Sequence, residues 1–145
     1  MTKPPNNILQ WPSAKLMGAE FVSHDEADGT VEMAFIPPEG FANMRGCVQG
    51  GLLAGPMDEA MGAAVFVATN GGLQLTLDIN LSLLRPVPME RMTVKARAVK
   101  TGRRVTYVES ELFDVNGKLC ARATATTMMT GWPGADKQQE QGPDA

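Results

Sequence analysis

The sequence predicts an α+β domain in which an antiparallel sheet of about six strands curls around one long helix. Three observations carry that expectation. A long apolar segment of helical period, residues 49–68, begins and ends at glycine pairs. Two short strand-like segments precede it and four follow, read from alternation and turn residues. The chain has 145 residues, 43% of them hydrophobic and 20% charged, enough for one domain with a single core.

Each element follows from local chemistry. Residues 1–12 are polar and proline-containing and read as a loose lead-in. Residues 13–18 suit one helical turn, with Ser13 as its cap and Gly18 as its stop. Residues 19–23 and 30–36 read as strands around the acidic turn HDEADG, and Pro37 and Pro38 end the second. A loop over 39–48 leads into the helix, which Asn70, Gly71 and Gly72 stop. Its core stripe is Leu52, Leu53, Pro56, Met57, Ala60, Met61, Ala64, Val65 and Ala68, at spacings of three and four.

The second half changes period. Over residues 73–84 every odd position is Leu or Ile, facing Gln74, Thr76, Asp78, Asn80 and Ser82, so the segment reads as a strand with one apolar face. Residues 91–100, 104–114 and 118–130 follow as three more strands. Thr101, Gly102 and Arg103 form one turn between them, and Asn116 and Gly117 the other. Residues 131–145 are polar, rich in Gly and Gln, and read as a disordered tail after a single domain over 1–130.

Composition excludes several function classes. A net charge of −3 and a pI near 5.1 argue against general nucleic-acid binding. No uninterrupted apolar run approaches the roughly 18 residues of a membrane span. The opening MTKPPNN lacks the apolar stretch of a signal peptide, which together point to the cytoplasm. Cys47 and Cys120 fit no zinc pattern and read as reduced thiols. The single histidine, His24, excludes a site built from several histidines and reads as a surface residue of the first hairpin.

The helix carries the candidate chemistry. Asp58 and Glu59 lie within it, about 100° apart around its axis. Glu59 reads as solvated. The face neighbours of Asp58 are Ala54, Gly55, Met61 and Gly62, mostly small, so Asp58 is either a solvated carboxylate or a site. Gln49, Gly50 and Gly51 leave free N–H groups at the positive end of the helix dipole, which suits a developing oxyanion. Taken alone, that glycine pair is an ordinary tight turn. Pro56, at about the seventh helical residue, predicts a kink or bulge just before Asp58.

Asn43, then Gln49, Gly50 and Gly51, then Asp58 resembles the signature of hotdog-fold acyl-CoA thioesterases of the phenylacetyl-CoA thioesterase-like branch. Thr76 to Asn80, the Arg85 and Pro86 pair, and the Gly102 and Arg103 turn also look like that family; the likeness spans residues 15–130. The resemblance implies a hotdog fold and an acyl-CoA substrate hydrolysed to free acid and coenzyme A, without cofactor or metal. It implies Asp58 as general base or nucleophile, the Gly50 N–H polarising the thioester carbonyl, Asn43 holding carbonyl or water, and Thr76 orienting water. Gln49 stands where the family has histidine; glutamine can brace the loop but cannot titrate. The alternation places Thr76 opposite the leucine face, so it reaches the site only if its strand borders a partner subunit.

Gly50 and Asp58 are eight residues apart, roughly 12 Å at about 1.5 Å per helical residue. One subunit cannot bring both to one carbonyl. A homodimer with antiparallel helices can, and a dimer of dimers (a homotetramer) would keep that pairing. Gly51 would line the same entry. Arg85, Lys100, Arg103 and Arg104 are candidates for coenzyme A phosphates, or plain surface charge. Two alternatives remain: a non-catalytic acyl-CoA-binding hotdog protein, and an enoyl-CoA hydratase-like enzyme, which would want a histidine beside the acid.

Overall fold

The computed structural model describes residues 8–130. The expected tail over 131–145, and the lead-in before residue 8, lie outside them. A 3-10 turn (Ile8–Gln10) precedes α1 (Pro12–Leu16), β1 (Glu20–Asp25) and β2 (Thr30–Phe35). After a loop that holds a second 3-10 turn (Glu39–Phe41) come a third (Gly50–Leu53) and α2 (Ala54–Ala68). Strands β3 (Gln74–Leu83), β4 (Met92–Thr101), β5 (Val105–Phe113) and β6 (Leu119–Met129) complete the chain. The six strands form one antiparallel sheet in the order β1-β2-β4-β5-β6-β3, wrapped around α2. This is the expected α+β, hotdog architecture.

The helix lies inside the sheet because its stripe is apolar. Pro56, Met57, Ala60, Met61, Ala63, Ala64 and Val65 are buried. All but Pro56 join Val31, Met33 and Phe35 of β2, Val94 of β4, and Val108 and Leu112 of β5 in one cluster. Met57 is fully buried, so its truncation to Ala should cost about 2–5 kcal/mol. Leu52, placed in the core stripe by its spacing, is 38% exposed because the 3-10 turn rotates it off the helical face. The stretch Gly50–Ala68 is long and apolar enough to cross a membrane by length and composition, yet half of it is buried inside the domain.

Four local expectations change. Trp11, not Ser13, occupies the N-cap of α1, since Pro12 has the φ that the first helical position needs. Pro56 does not kink a helix interior. Residues 50–53 are wound as a 3-10 turn, so Pro56 becomes the third residue of α2, where the α-helical N–H ladder has not yet begun. His24 is no surface residue: its side chain is 12% exposed. It pairs across the strands with buried Val31 and lies edge-on to Phe21 at 5.5 Å.

The fourth concerns β3. Its register against β6 runs Thr76 to Thr127, then jumps to Asp78 against Thr126, leaving Leu77 as a bulge. Opposed residues share a face of the sheet. Thr127, Ala125 and Ala123 are buried toward the helix, so Thr76, Ile79 and Leu81 face it too, and Leu75 turns outward beside Met128. The strand therefore has no single leucine face. Leu75 and Leu77 are 42% and 55% exposed.

Candidate active site

Asp58 sits on the second turn of α2, half-buried. The bulge at Leu77 swings Thr76 to the helix side, and its Oγ1 donates to Asp58 Oδ1 at 2.9 Å. Burial raises the Asp58 pKa above the ordinary aspartate value, and the Thr76 bond opposes that rise. Thr76 thus reaches Asp58 within one chain, not across a subunit boundary. Glu59, expected to be solvated, is also half-buried; its pKa is raised by burial and by the neighbouring Asp58 charge.

The helix entry is built separately. Gln49 caps the 3-10 turn, its Oε1 accepting from Leu52 N at 3.0 Å. Glycine at position 51 leaves room for that cap: a Cβ there would lie 3.1 Å from the same oxygen. A Cβ on Gly50 would come within 2.6 Å of Leu83 Cδ1, so any larger residue there requires that exposed side chain to move. The Gly50 and Gly51 N–H groups donate to no acceptor among the described residues.

Asn43 shapes the loop before this entry. Its Oδ1 accepts from Arg45 N and Cys47 N at 2.9 and 3.1 Å, closing a tight turn through Gly46. The acceptor is therefore committed to the loop, and the Nδ2 group is what remains to donate to a ligand. Asn43, Gly50 and Arg85 line one open groove of about 410 Å³ with an apolar floor of Val48, Leu53 and Val87. Arg85 Nη1 donates to Leu119 O at 2.7 Å, which fixes the guanidinium at the groove's edge. Arg45, which sequence reasoning passed over, lines the groove as well.

The structure thus gathers Asn43, Gln49, Gly50, Gly51 and Arg85 in one place, and Asp58 with Thr76 in another. Asp58 and Thr76 do not line the groove. From Gly50 to Asp58 the chain climbs one 3-10 turn and one α turn, roughly 14 Å. Arg103 and Arg104 lie at the Asp58 end: Arg104 O accepts from Met129 N at 2.7 Å, and two rows along the sheet Thr106, Thr127 and Thr76 align. Lys100, Arg103 and Arg104 are exposed and none of them lines the groove with Arg85. Both cysteines are free thiols, Cys120 buried and Cys47 half-buried at the groove.

The sequence profile of the Thioesterase superfamily matches residues 46–121, more than half of the chain. The chain belongs to the thioesterase superfamily. It is similar to the solved phenylacetic acid degradation-related protein of Ralstonia eutropha JMP134, at 35% identity over 82% of this chain and 91% of that one, with a TM-score of 0.77. A thioesterase family protein from Silicibacter pomeroyi is 25% identical over 84% and 91% of the two chains, with a TM-score of 0.76. A Streptococcus pneumoniae TIGR4 protein solved with coenzyme A shares the fold, at 24% identity over 78% and 86% and a TM-score of 0.70. The matched superfamily segment opens at Gly46 and so takes in both the helix entry and the Asp58–Thr76 pair.

Proposed function

We propose that this chain is a cytoplasmic acyl-CoA thioester hydrolase whose site is assembled from two subunits. The observation that carries the reading is the Thr76–Asp58 bond at 2.9 Å on a half-buried carboxylate, set apart from an apolar groove with free helix-entry N–H groups. A thioester needs an activated water, or a carboxylate nucleophile, and a donor for the oxyanion. Asp58 supplies the first and the partner subunit's Gly50 the second.

In the general-base form, Asp58 takes a proton from water and the water oxygen bonds to the thioester carbon. The carbonyl oxygen becomes an oxyanion held by the partner subunit's Gly50 N–H. Collapse breaks the carbon–sulfur bond, and the coenzyme A thiolate leaves with the proton Asp58 had taken. In the nucleophilic form, Asp58 itself attacks the thioester carbon, the carbon–sulfur bond breaks to release the coenzyme A thiolate as the anhydride forms, and water then cleaves the anhydride, its proton passing to the thiolate. Thr76 holds the carboxylate in aim in both. Asn43 Nδ2 donates to the carbonyl or water, Gln49 and Gly51 keep the entry in shape, and Arg85, Arg103 and Arg104 face the phosphates.

An uncovered edge supports the dimer. Strand β3 ends the sheet, and its unpaired edge and exposed Leu75 and Leu77 are the kind of surface a second copy covers. A two-fold axis there would set one subunit's helix entry against the other's Asp58 and bring Arg103 and Arg104 toward the groove that holds Arg85. An acyl-CoA panel read with a thiol dye tests the activity. Thiol release supports it; absorbance change without thiol indicates a hydratase, and binding without turnover a non-catalytic acyl-CoA protein.

A further inference from the structure

Strand β3 touches α2 through a second polar rung. Gln74 Nε2 donates to Gly62 O at 3.0 Å, two residues before Thr76 and four residues after Asp58. The spacings match. Two strand residues advance about 6.7 Å, and four helical residues about 6 Å. Running antiparallel, the strand therefore meets the helix twice in register, at Gln74–Gly62 and at Thr76–Asp58. Both side chains lie on the helix side of the sheet, and both precede the Leu77 bulge.

We infer that Gln74 is a positioning residue for Asp58, holding the strand-to-helix register that lets Thr76 reach the carboxylate. Nothing in the packing alone asks for glutamine here. Its Oε1 is buried with no hydrogen-bond partner among the described residues, an unsatisfied acceptor that an apolar side chain would not leave. Of the two amide orientations, only the one placing NH₂ toward the Gly62 carbonyl makes a bond, and that is the orientation present. The rung also grips α2 at a carbonyl, which no side-chain change on the helix can remove.

Few charged groups compete for influence over Asp58. Glu59 is beside it on the helix. On β3, Asp78 turns away to accept from Thr126 N at 3.2 Å. The buried residues that β2, β4, β5 and β6 turn to α2 are apolar or carry hydroxyls, and Cys120, at the start of β6, donates its thiol to the Lys118 carbonyl. The Thr76 bond is therefore the chief polar influence on this carboxyl, opposing the effect of its burial.

The inference rests on the proposed role of Asp58 only for its activity readout. The primary measurement is the 13C-carboxyl NMR titration of Asp58 in the ligand-free protein. Gln74→Met keeps length and bulk but removes the amide; Gln74→Asn keeps the amide but falls one methylene short. In both, the Asp58 titration should move to higher pH, the direction Thr76→Val produces, and Gln74→Met with Thr76→Val should titrate like Thr76→Val alone. In the same variants kcat should fall about tenfold with KM within about twofold. An Asp58 titration unmoved in either folded variant, or a Gln74→Met shift that adds in full to that of Thr76→Val, overturns the inference. A shifted titration beside full activity in Asp58→Asn would leave the positioning intact and end the base assignment instead.

Discussion

Thr76 Oγ1 donates to Asp58 Oδ1 at 2.9 Å, a bond from the edge strand to the central helix made within one chain. It exists because one extra residue, Leu77, shifts the strand's parity just after Thr76. Removing the donor while keeping the shape isolates its contribution. Thr76→Val should lower kcat about tenfold, and Thr76→Ser should restore most of it. Steady-state kinetics on the two variants checks this; equal activity in Val and Ser would show that the hydroxyl does no catalytic work.

Asp58→Asn should retain the fold and lower kcat by at least ~100-fold, the scale of a lost general base. Circular dichroism secures the fold and thiol release gives the rate. Near-wild-type turnover in the folded variant would end the assignment.

The pH profile has a definite sign. Burial raises the Asp58 pKa, and the base works only when ionised, so kcat/KM should climb with pH through one limb lying above the ordinary aspartate range. Gln49 supplies no imidazole, and His24→Gln should leave that limb in place. A limb that vanishes with His24→Gln would bring the hairpin histidine into the chemistry.

Stability follows from the same shift. A carboxyl whose folded pKa is raised holds its proton more tightly folded than unfolded, so stability is lost as pH rises from the unfolded toward the folded pKa. Asp58→Asn should therefore melt higher than wild type at pH 7. The gain should shrink as pH falls through the raised pKa toward the ordinary one. Thermal melts across that range read it directly, and a variant less stable at pH 7 would contradict the desolvated carboxylate.

The bulge itself can be edited. Deleting Leu77, with β3 still paired from Asp78 onward, turns Thr76 and Gln74 to the outer face. Turnover should fall at least as far as in Thr76→Val. Leu77→Met, which keeps the extra residue, should retain it. Comparable activity in the deletion would show that Thr76 need not face the helix.

The sequence made the helix, the strand count and the turns legible because each rests on a local period or a local breaker. Met57, Met61 and Val65 recur as a helical stripe, and they are buried. Asn70 and Gly71 end the helix in left-handed conformations, as their residue types suggest. What stayed hidden depends on pairing. A bulge is a property of two strands, so the unbroken alternation of residues 73–84 gave no sign that Leu77 would flip Thr76 inward. The 3-10 turn that relieves Pro56 carries the Gln49 cap on Leu52 N, and neither the winding nor that bond is visible in a linear pattern. His24 looked exposed because its neighbours are acidic, yet its partner across the strands is Val31.

The central claim is a site shared between subunits, and subunit exchange tests it most directly. Asn43→Ala damages the groove half and Asp58→Asn the helix half, and each should be nearly inactive as a homodimer. After equal mixing and verified exchange, half the dimers are mixed. Each mixed dimer holds one site with the Asn43 of one chain and the Asp58 of the other intact, and one site with both lesions. The account predicts recovery of about a quarter of wild-type activity per subunit. If each site were built within one chain, every site would carry a lesion, and the mixture would stay as inactive as its parents.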